Sequence, residues 1–107
     1  MSELVKVVVT VPENDADTLR EAIGNADGGK LGNYAYCSFS AKGTGRFMPI
    51  QGAHPTIGSV GKLVTVIEER IEITCQRDKL TNIVQAIRNN HPYEEPAIDI
   101  YPMLLEE

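Results

Sequence analysis

The stretch that decides the fold is Leu4-Val5-Lys6-Val7-Val8-Val9-Thr10-Val11, which Pro12 closes. This stretch is rich in β-branched residues, which favour strands, and it is apolar on both faces, which is typical of a central strand. A helix is predicted next, because Asn14 or Asp15 can cap its first turn. The apolar stripe of that helix consists of Ala16, Leu19, Ile23 and Ala26. This part of the chain therefore predicts a β-α unit.

The same unit recurs 64 residues later. At that shift Val7 falls on Ile71, and Glu21-Ala22-Ile23 falls on Gln85-Ala86-Ile87. Asp78 is predicted to cap the second helix. The apolar stripe of the second helix is Leu80, Ile83, Val84 and Ile87. A duplicated β-α-β unit predicts an α+β fold, a ferredoxin-like βαββαβ domain with both helices on one face of an antiparallel sheet.

Between the two units lies a long segment, Lys42–Gly61, with five glycines and two prolines. Long loops inside compact domains are usually functional, so a binding site is predicted near this segment and the His91–Pro96 junction. The remaining strands are predicted at Tyr34–Ala41, Lys62–Ile67, Arg70–Thr74 and Ala97–Tyr101. Glu68-Glu69 marks either a bulge or a break between two strands. An acidic tail follows the last strand.

Size and charge limit the possible roles. A chain of 107 residues fits one domain, and a net charge of −5 without a basic stripe argues against nucleic-acid binding. The sequence lacks an arginine-rich leader and a long apolar run, and Cys37 and Cys75 lack a close metal or redox spacing. We therefore expect a cytoplasmic protein that is not bound to a membrane, with both cysteines reduced. Val8 and other apolar groups on the second sheet face need cover, so a homo-oligomer is expected.

Four ordered segments carry a resemblance to a known family. The segments are Gly29-Lys30-Leu31-Gly32-Asn33-Tyr34 with Cys37-Ser38-Phe39; Gly43-Thr44-Gly45-Arg46-Phe47 with Pro49; Gly52-Ala53-His54-Pro55-Thr56-Ile57-Gly58 leading to Gly61-Lys62; and His91-Pro92-Tyr93-Glu94-Glu95-Pro96-Ala97. Together they resemble the domain inserted in the middle of NIF-three-like proteins, often labelled GTP cyclohydrolase type-two homologues. The resemblance implies that residues 1–107 are one stand-alone copy of that domain. The dinuclear metal site of the flanking halves has no counterpart positions in these residues.

Two further likenesses imply the same architecture. The segment His91–Pro96 is similar to one in CutA proteins, which are ferredoxin-like trimers linked to divalent-cation tolerance. Lys42–Arg46 is similar in position to the long loop of PII signalling proteins, whose trimers bind nucleotides between subunits. These likenesses imply a trimer with a ligand between subunits.

The glycine-rich segment contains a candidate anion site. Lys42, Gly43, Gly45 and Arg46 could surround a phosphate or carboxylate, because glycines let backbone N–H groups approach and arginine binds such groups with a planar fork. The alternative is a glycine-shaped hairpin whose arginine pairs with a surface carboxylate.

A candidate metal site consists of His54, His91 and Glu94, with Glu95 as an alternative carboxylate. Imidazole and carboxylate suit a divalent transition metal. The alternative is that each histidine, which precedes a proline, only caps or turns the chain.

A catalytic site is not indicated. Cys37 could be a nucleophile only beside a base, and the strand pattern places it in the core or an interface instead. The aromatic residues near the second strand could pack in the core or an interface, or stack on bases: Tyr34, Tyr36, Phe39 and Phe47. The preferred hypothesis is a non-enzymatic, oligomeric module that senses a ligand or handles a metal. The alternatives are a protein-interaction module and an enzyme acting on a nucleotide-like substrate.

Overall fold

A computed structural model describes residues 3–104, so the end of the expected acidic tail lies outside the described residues. The elements are β1 (Leu4–Pro12), α1 (Ala16–Asn25), β2 (Phe39–Phe47), β3 (Val64–Gln76), α2 (Leu80–Asn90) and β4 (Ile98–Pro102). The four strands form one antiparallel sheet in the order β2-β3-β1-β4. The predicted α+β, ferredoxin-like βαββαβ fold is confirmed. None of the helices within this part of the chain is long and apolar enough to cross a membrane.

The internal duplication is visible element by element. A one-turn 3₁₀ helix at Glu13–Asp15 precedes α1, and its equivalent 64 residues later, Arg77–Lys79, precedes α2. Asp15 does occupy the N-cap position of α1, but the predicted side-chain caps are wrong, because no capping side chain accepts a hydrogen bond from the backbone at the start of either α-helix, and Asp78 lies inside the 3₁₀ turn. Each helix instead continues directly from the 3₁₀ turn. The i→i+3 backbone hydrogen bonds of that turn satisfy some of the N–H groups at the start of the helix.

The core lies between the helices and one face of the sheet. Valines at alternate positions of β1 face the helices, and they pack with the predicted helical stripes around Leu19, Ile23, Ile83 and Ile87. The opposite face of the sheet, which the helices do not cover, is called the outer face below. Val8 points to the outer face but is only 3% exposed, so the expectation that it needs cover is wrong. Phe39 and Tyr101, 68% and 49% exposed, are the large uncovered side chains of that face.

The second strand differs from the prediction. The expected strand Tyr34–Ala41 is wrong over its first half, and β2 continues to Phe47 through residues predicted to be loop. Gly43 pairs with Glu68 and Gly45 with Val66, so pairing with β3 outweighs the low strand propensity of glycine. The loop is therefore residues 48–63. β3 runs through Glu68 without a bulge, since its register with both neighbours is regular.

Candidate ligand-binding cavity on the outer face

A cavity of about 670 Å³ opens on the outer face. Its floor is formed by Thr10 of β1, Ala41, Gly43 and Gly45 of β2, and Glu68 and Arg70 of β3. Its walls come from the loop 48–63 and from the segment between α2 and β4. Gly43 and Gly45 lie two residues apart on this face of β2; the space above Gly43 is open, and the space above Gly45 holds the Glu68 carboxylate. The cavity therefore exists because β2 carries glycine where a usual strand carries large residues.

The two walls are joined to each other. The backbone N–H of His54 donates to Glu94 Oε1 at 3.1 Å, and the Thr56 hydroxyl donates to the Pro92 carbonyl at 2.7 Å. The ring of Phe47 meets the ring of Tyr93 edge to face, with 5.6 Å between centroids. These contacts connect the walls before a ligand binds. Such preorganisation lowers the entropic cost of ordering a site around its ligand.

The polar centre of the cavity is the pair Glu68 and Tyr93. The Tyr93 hydroxyl donates to Glu68 Oε2 at 2.8 Å, and Glu68 is only 8% exposed. Burial, together with the Glu68 carboxylate that accepts this bond, raises the pKa of Tyr93 above its ordinary value, so Tyr93 stays a donor at neutral pH. The other oxygen, Oε1, lies where a β-carbon on Gly45 would be. Gly45 thus makes room for the buried carboxylate.

His91 holds the backbone of Tyr93 in place through hydrogen bonds. It is buried; its Nε2 donates to the Thr10 carbonyl at 2.7 Å, and its Nδ1 accepts the backbone N–H of Tyr93 at 3.1 Å. The two bonds define the tautomer with the proton on Nε2. His91 therefore links β1 to the cavity wall and positions Tyr93.

The residues of the predicted anion site do not share one face. Because side chains alternate along a strand, Gly43 and Gly45 face the cavity floor, whereas Lys42 and Arg46 point to the helix side of the sheet. Lys42 Nζ lies 3.0 Å from Glu13 Oε2, and this contact raises the pKa of Lys42. The predicted loop at these residues is wrong, since they form β2. Whether they bind an anion stays a prediction.

The predicted metal ligands are only partly brought together. Glu94 contacts the backbone of His54, but both ring nitrogens of His91 are engaged within the chain. No group of three or more His, Cys, Asp or Glu side chains that could hold a metal ion is found among residues 3–104. Metal binding by His54, His91 and Glu94 stays a prediction, and at His91 it would have to break two hydrogen bonds.

The remaining candidates lie away from the cavity. Cys37 is half-buried in the loop before β2, so its predicted place on a strand is wrong. Cys75 is buried in the core, and burial, with a smaller contribution from Asp78, raises the pKa of its thiol. Tyr34 and Phe39 are exposed rather than packed in the core. The two cysteines are free thiols in the structure.

Glu68 and Tyr93 were not predicted as site residues. Tyr93 was visible as part of the His91–Pro96 motif, and the alternation of β3 places Glu68 on the same face as Arg70 and Glu72. The burial of Glu68 could not be predicted from the local sequence, because its side chain packs over Gly45 and bonds to Tyr93, both more than 20 residues away in the sequence.

Sequence comparison decides the relationship. A GTP cyclohydrolase 1 type 2 homolog of Halalkalibacterium halodurans is 47% identical over 103 residues, which are 96% of this chain and 28% of that protein. The crystal structure of a Bacillus cereus protein related to NIF3 superposes with a TM-score of 0.83 and 41% identity, covering 95% of this chain and 26% of that one. The chain is homologous to one domain of the NIF3-like proteins. The resemblance of the four sequence segments to a domain of these larger proteins is thereby confirmed.

The fold of this chain also has neighbours at lower identity. The divalent ion tolerance protein CutA1 from Ehrlichia chaffeensis matches all of this chain and 87% of its own, with a TM-score of 0.71 and 16% identity. At that identity the likeness concerns the fold alone. No protein-family model matches the chain. The chain spans little more than a quarter of the NIF3-like relatives, so their activities are not transferred to it.

Proposed function

We propose that this chain is a non-catalytic, homo-oligomeric module that binds a small molecule in the outer-face cavity. The observation that carries the proposal is the cavity itself. Its volume of about 670 Å³ lies within the range of about 300–1,000 Å³ typical of small-molecule sites. Its lining combines apolar side chains with a few polar groups near Glu68 and Tyr93, which is the usual composition of such sites.

A binding role is favoured over catalysis by the state of the polar groups. Tyr93 and the His91 ring are committed to hydrogen bonds inside the protein. A general acid or base must instead reach a proton on the substrate and have a pKa near the working pH, and the pKa of Tyr93 is raised away from it. A cytoplasmic location is part of the proposal, since free thiols suit a reducing compartment.

The shape of the chain supports self-association. Its radius of gyration is 14.9 Å, whereas a compact domain of this length has about 13 Å. Exposed apolar side chains lie on the outer face (Phe39, Tyr101) and in the loop 48–63 (Met48, Ile50, Leu63). A second copy covering the outer face would bury several of these groups and place the cavity between subunits. A trimer is the form that we propose.

A charge on the outer face should break the oligomer. We expect Phe39→Glu to shift the mass measured by light scattering from a trimer to a monomer, because a carboxylate would be buried without a partner. Gln85→Glu adds the same charge on the exposed face of α2 and should leave the mass unchanged. Equal masses for both variants and the wild type would contradict an interface on the outer face.

Ligand binding is tested by a thermal-shift screen with nucleotides, phosphorylated metabolites, amines and divalent metal ions. The names of the relatives motivate the nucleotides and the metals. At a hundred times its Kd a ligand stabilises the folded state by about 2.7 kcal/mol, which is roughly 10 °C in Tm for a domain of this size. A metal shift that His54→Ala removes would support the metal prediction instead.

The control for this screen is Gly43→Val. A β-carbon on Gly43 meets no atom within 4 Å, so a valine side chain there projects into the open floor of the cavity, and valine suits a strand. We expect the variant to fold with unchanged or higher stability and to lose the thermal shift of the ligand. A ligand that stabilises both proteins equally binds elsewhere and would contradict the proposal.

The exposed apolar side chains of the loop 48–63 favour one alternative function. Ile50, Val60 and Leu63 are all more than half exposed, and such groups mark docking surfaces when they are contiguous. A protein-interaction module without a small ligand would show no thermal shift with any compound, and it would copurify with a stoichiometric partner.

A further inference from the structure

The charge of the cavity floor indicates the chemistry of its ligand. Glu68 is more than nine-tenths buried and lines the cavity. Tyr93 satisfies Oε2, but within residues 3–104 no side chain or backbone group donates to Oε1. A buried carboxylate is costly unless donors or a cation compensate it. The floor therefore holds an acceptor whose second oxygen remains available.

The basic residues of the lining do not compensate Glu68. Lys42 and Arg46 lie on the helix side of β2, where Lys42 pairs with Glu13, and Arg70 pairs with Glu72 at 3.2 Å along β3. Phe47 and Tyr93 are the aromatic residues of the lining, and their rings contact each other beside the carboxylate. A positively charged group that entered the cavity would thus meet Glu68 without displacing an existing ion pair.

We propose that the ligand carries a cationic nitrogen group, such as an amine, amidine or guanidine, on an apolar body. This inference rests on the proposed small-molecule function of the cavity. The nitrogen group donates to Glu68 Oε1, and the apolar body lies over Gly43 against Phe47. A charge-assisted bond of this kind is stronger than a neutral one, and more so where water is excluded. The preference is opposite to the anion predicted from the glycine-rich segment.

Matched aromatic fragments test the inference. Benzamidine, benzamide and benzoate have nearly the same shape and carry positive, neutral and negative head groups. Each is titrated into the isotopically labelled oligomer while the NMR amide signals of Gly43 and Gly45 are followed. We expect benzamidine to shift these signals and to bind at least about tenfold more tightly than benzoate.

Two glutamate variants assign the effect to one side chain. Glu68→Gln keeps the size of the side chain and an oxygen that can accept the Tyr93 bond, and it should weaken benzamidine binding at least about tenfold. Glu21→Gln removes the same charge from the exposed face of α1, outside the cavity lining, and should leave binding unchanged.

The possible failures are distinguishable from failure of the proposed function. Benzoate binding as tightly as benzamidine, or benzamidine binding that Glu68→Gln does not weaken, overturns the cationic preference and leaves the cavity as a site. Absence of any benzamidine shift overturns the preference as well. The proposed function itself depends on the comparison between Gly43→Val and wild type in the ligand screen.

Discussion

Ile23→Ala and Ile87→Ala are each expected to lower the free energy of unfolding by about 2–5 kcal/mol, the usual cost of removing a large buried side chain. The two isoleucines occupy equivalent positions of the duplicated unit, one on α1 and one on α2, and both are fully buried in the same core. Because the two β-α units pack on the sheet in the same way, the two losses should agree within about 1 kcal/mol.

Urea denaturation at one fixed protein concentration measures these losses, since the stability of an oligomer depends on concentration. Glu21→Ala and Gln85→Ala form the matched control, being another equivalent pair on the exposed faces of the same helices. Each should change stability by less than about 0.5 kcal/mol. A large loss at one isoleucine and almost none at the other would contradict a core shared by both halves.

Gly45→Ala is expected to lower stability by about 1–3 kcal/mol, the penalty for leaving a buried polar group unsatisfied. The new β-carbon would overlap Oε1 of Glu68. The carboxylate must move, and the hydrogen bond from Tyr93 is then lost or lengthened. Thermal denaturation should show a decrease in Tm of at least about 4 °C.

Gly43→Ala is the matched control on the same strand and the same face. Its β-carbon meets no atom within 4 Å, and replacing glycine inside a strand by alanine gains about 0.5–1 kcal/mol of conformational entropy. The two substitutions are therefore expected to change stability in opposite directions. If Gly45→Ala stabilises the protein as much as Gly43→Ala does, Glu68 is not held over Gly45.

Patterns within single elements were enough to predict most of the fold. Alternation along β1 and the i, i+3, i+4, i+7 stripes of the helices depend only on which face is buried. The match between the two units at a shift of 64 residues, which places Val7 on Ile71, extended these predictions to both halves of the chain. The helix starts were predicted less well, because a 3₁₀ turn replaces the side-chain cap and has no strong sequence signature.

The segments expected near a binding site were predicted correctly as neighbours of the cavity, but the local structure of one of them was not. The segment 42–61 and the His91–Pro96 junction do border the cavity. Gly43 and Gly45, however, were expected to form an anion-binding loop, whereas pairing with β3 makes them a strand. Local propensity could not show this pairing, because the stabilising hydrogen bonds come from residues more than 20 positions away in the sequence.

The most direct test of a binding site on the outer face is the map of NMR amide shifts caused by the compound that stabilises the protein most in the thermal screen. The account predicts that the largest shifts fall on β2 at Gly43 and Gly45, on β3 at Glu68, and on the wall at Tyr93. Shifts concentrated on α1 and α2, with these four amides unchanged, would contradict it.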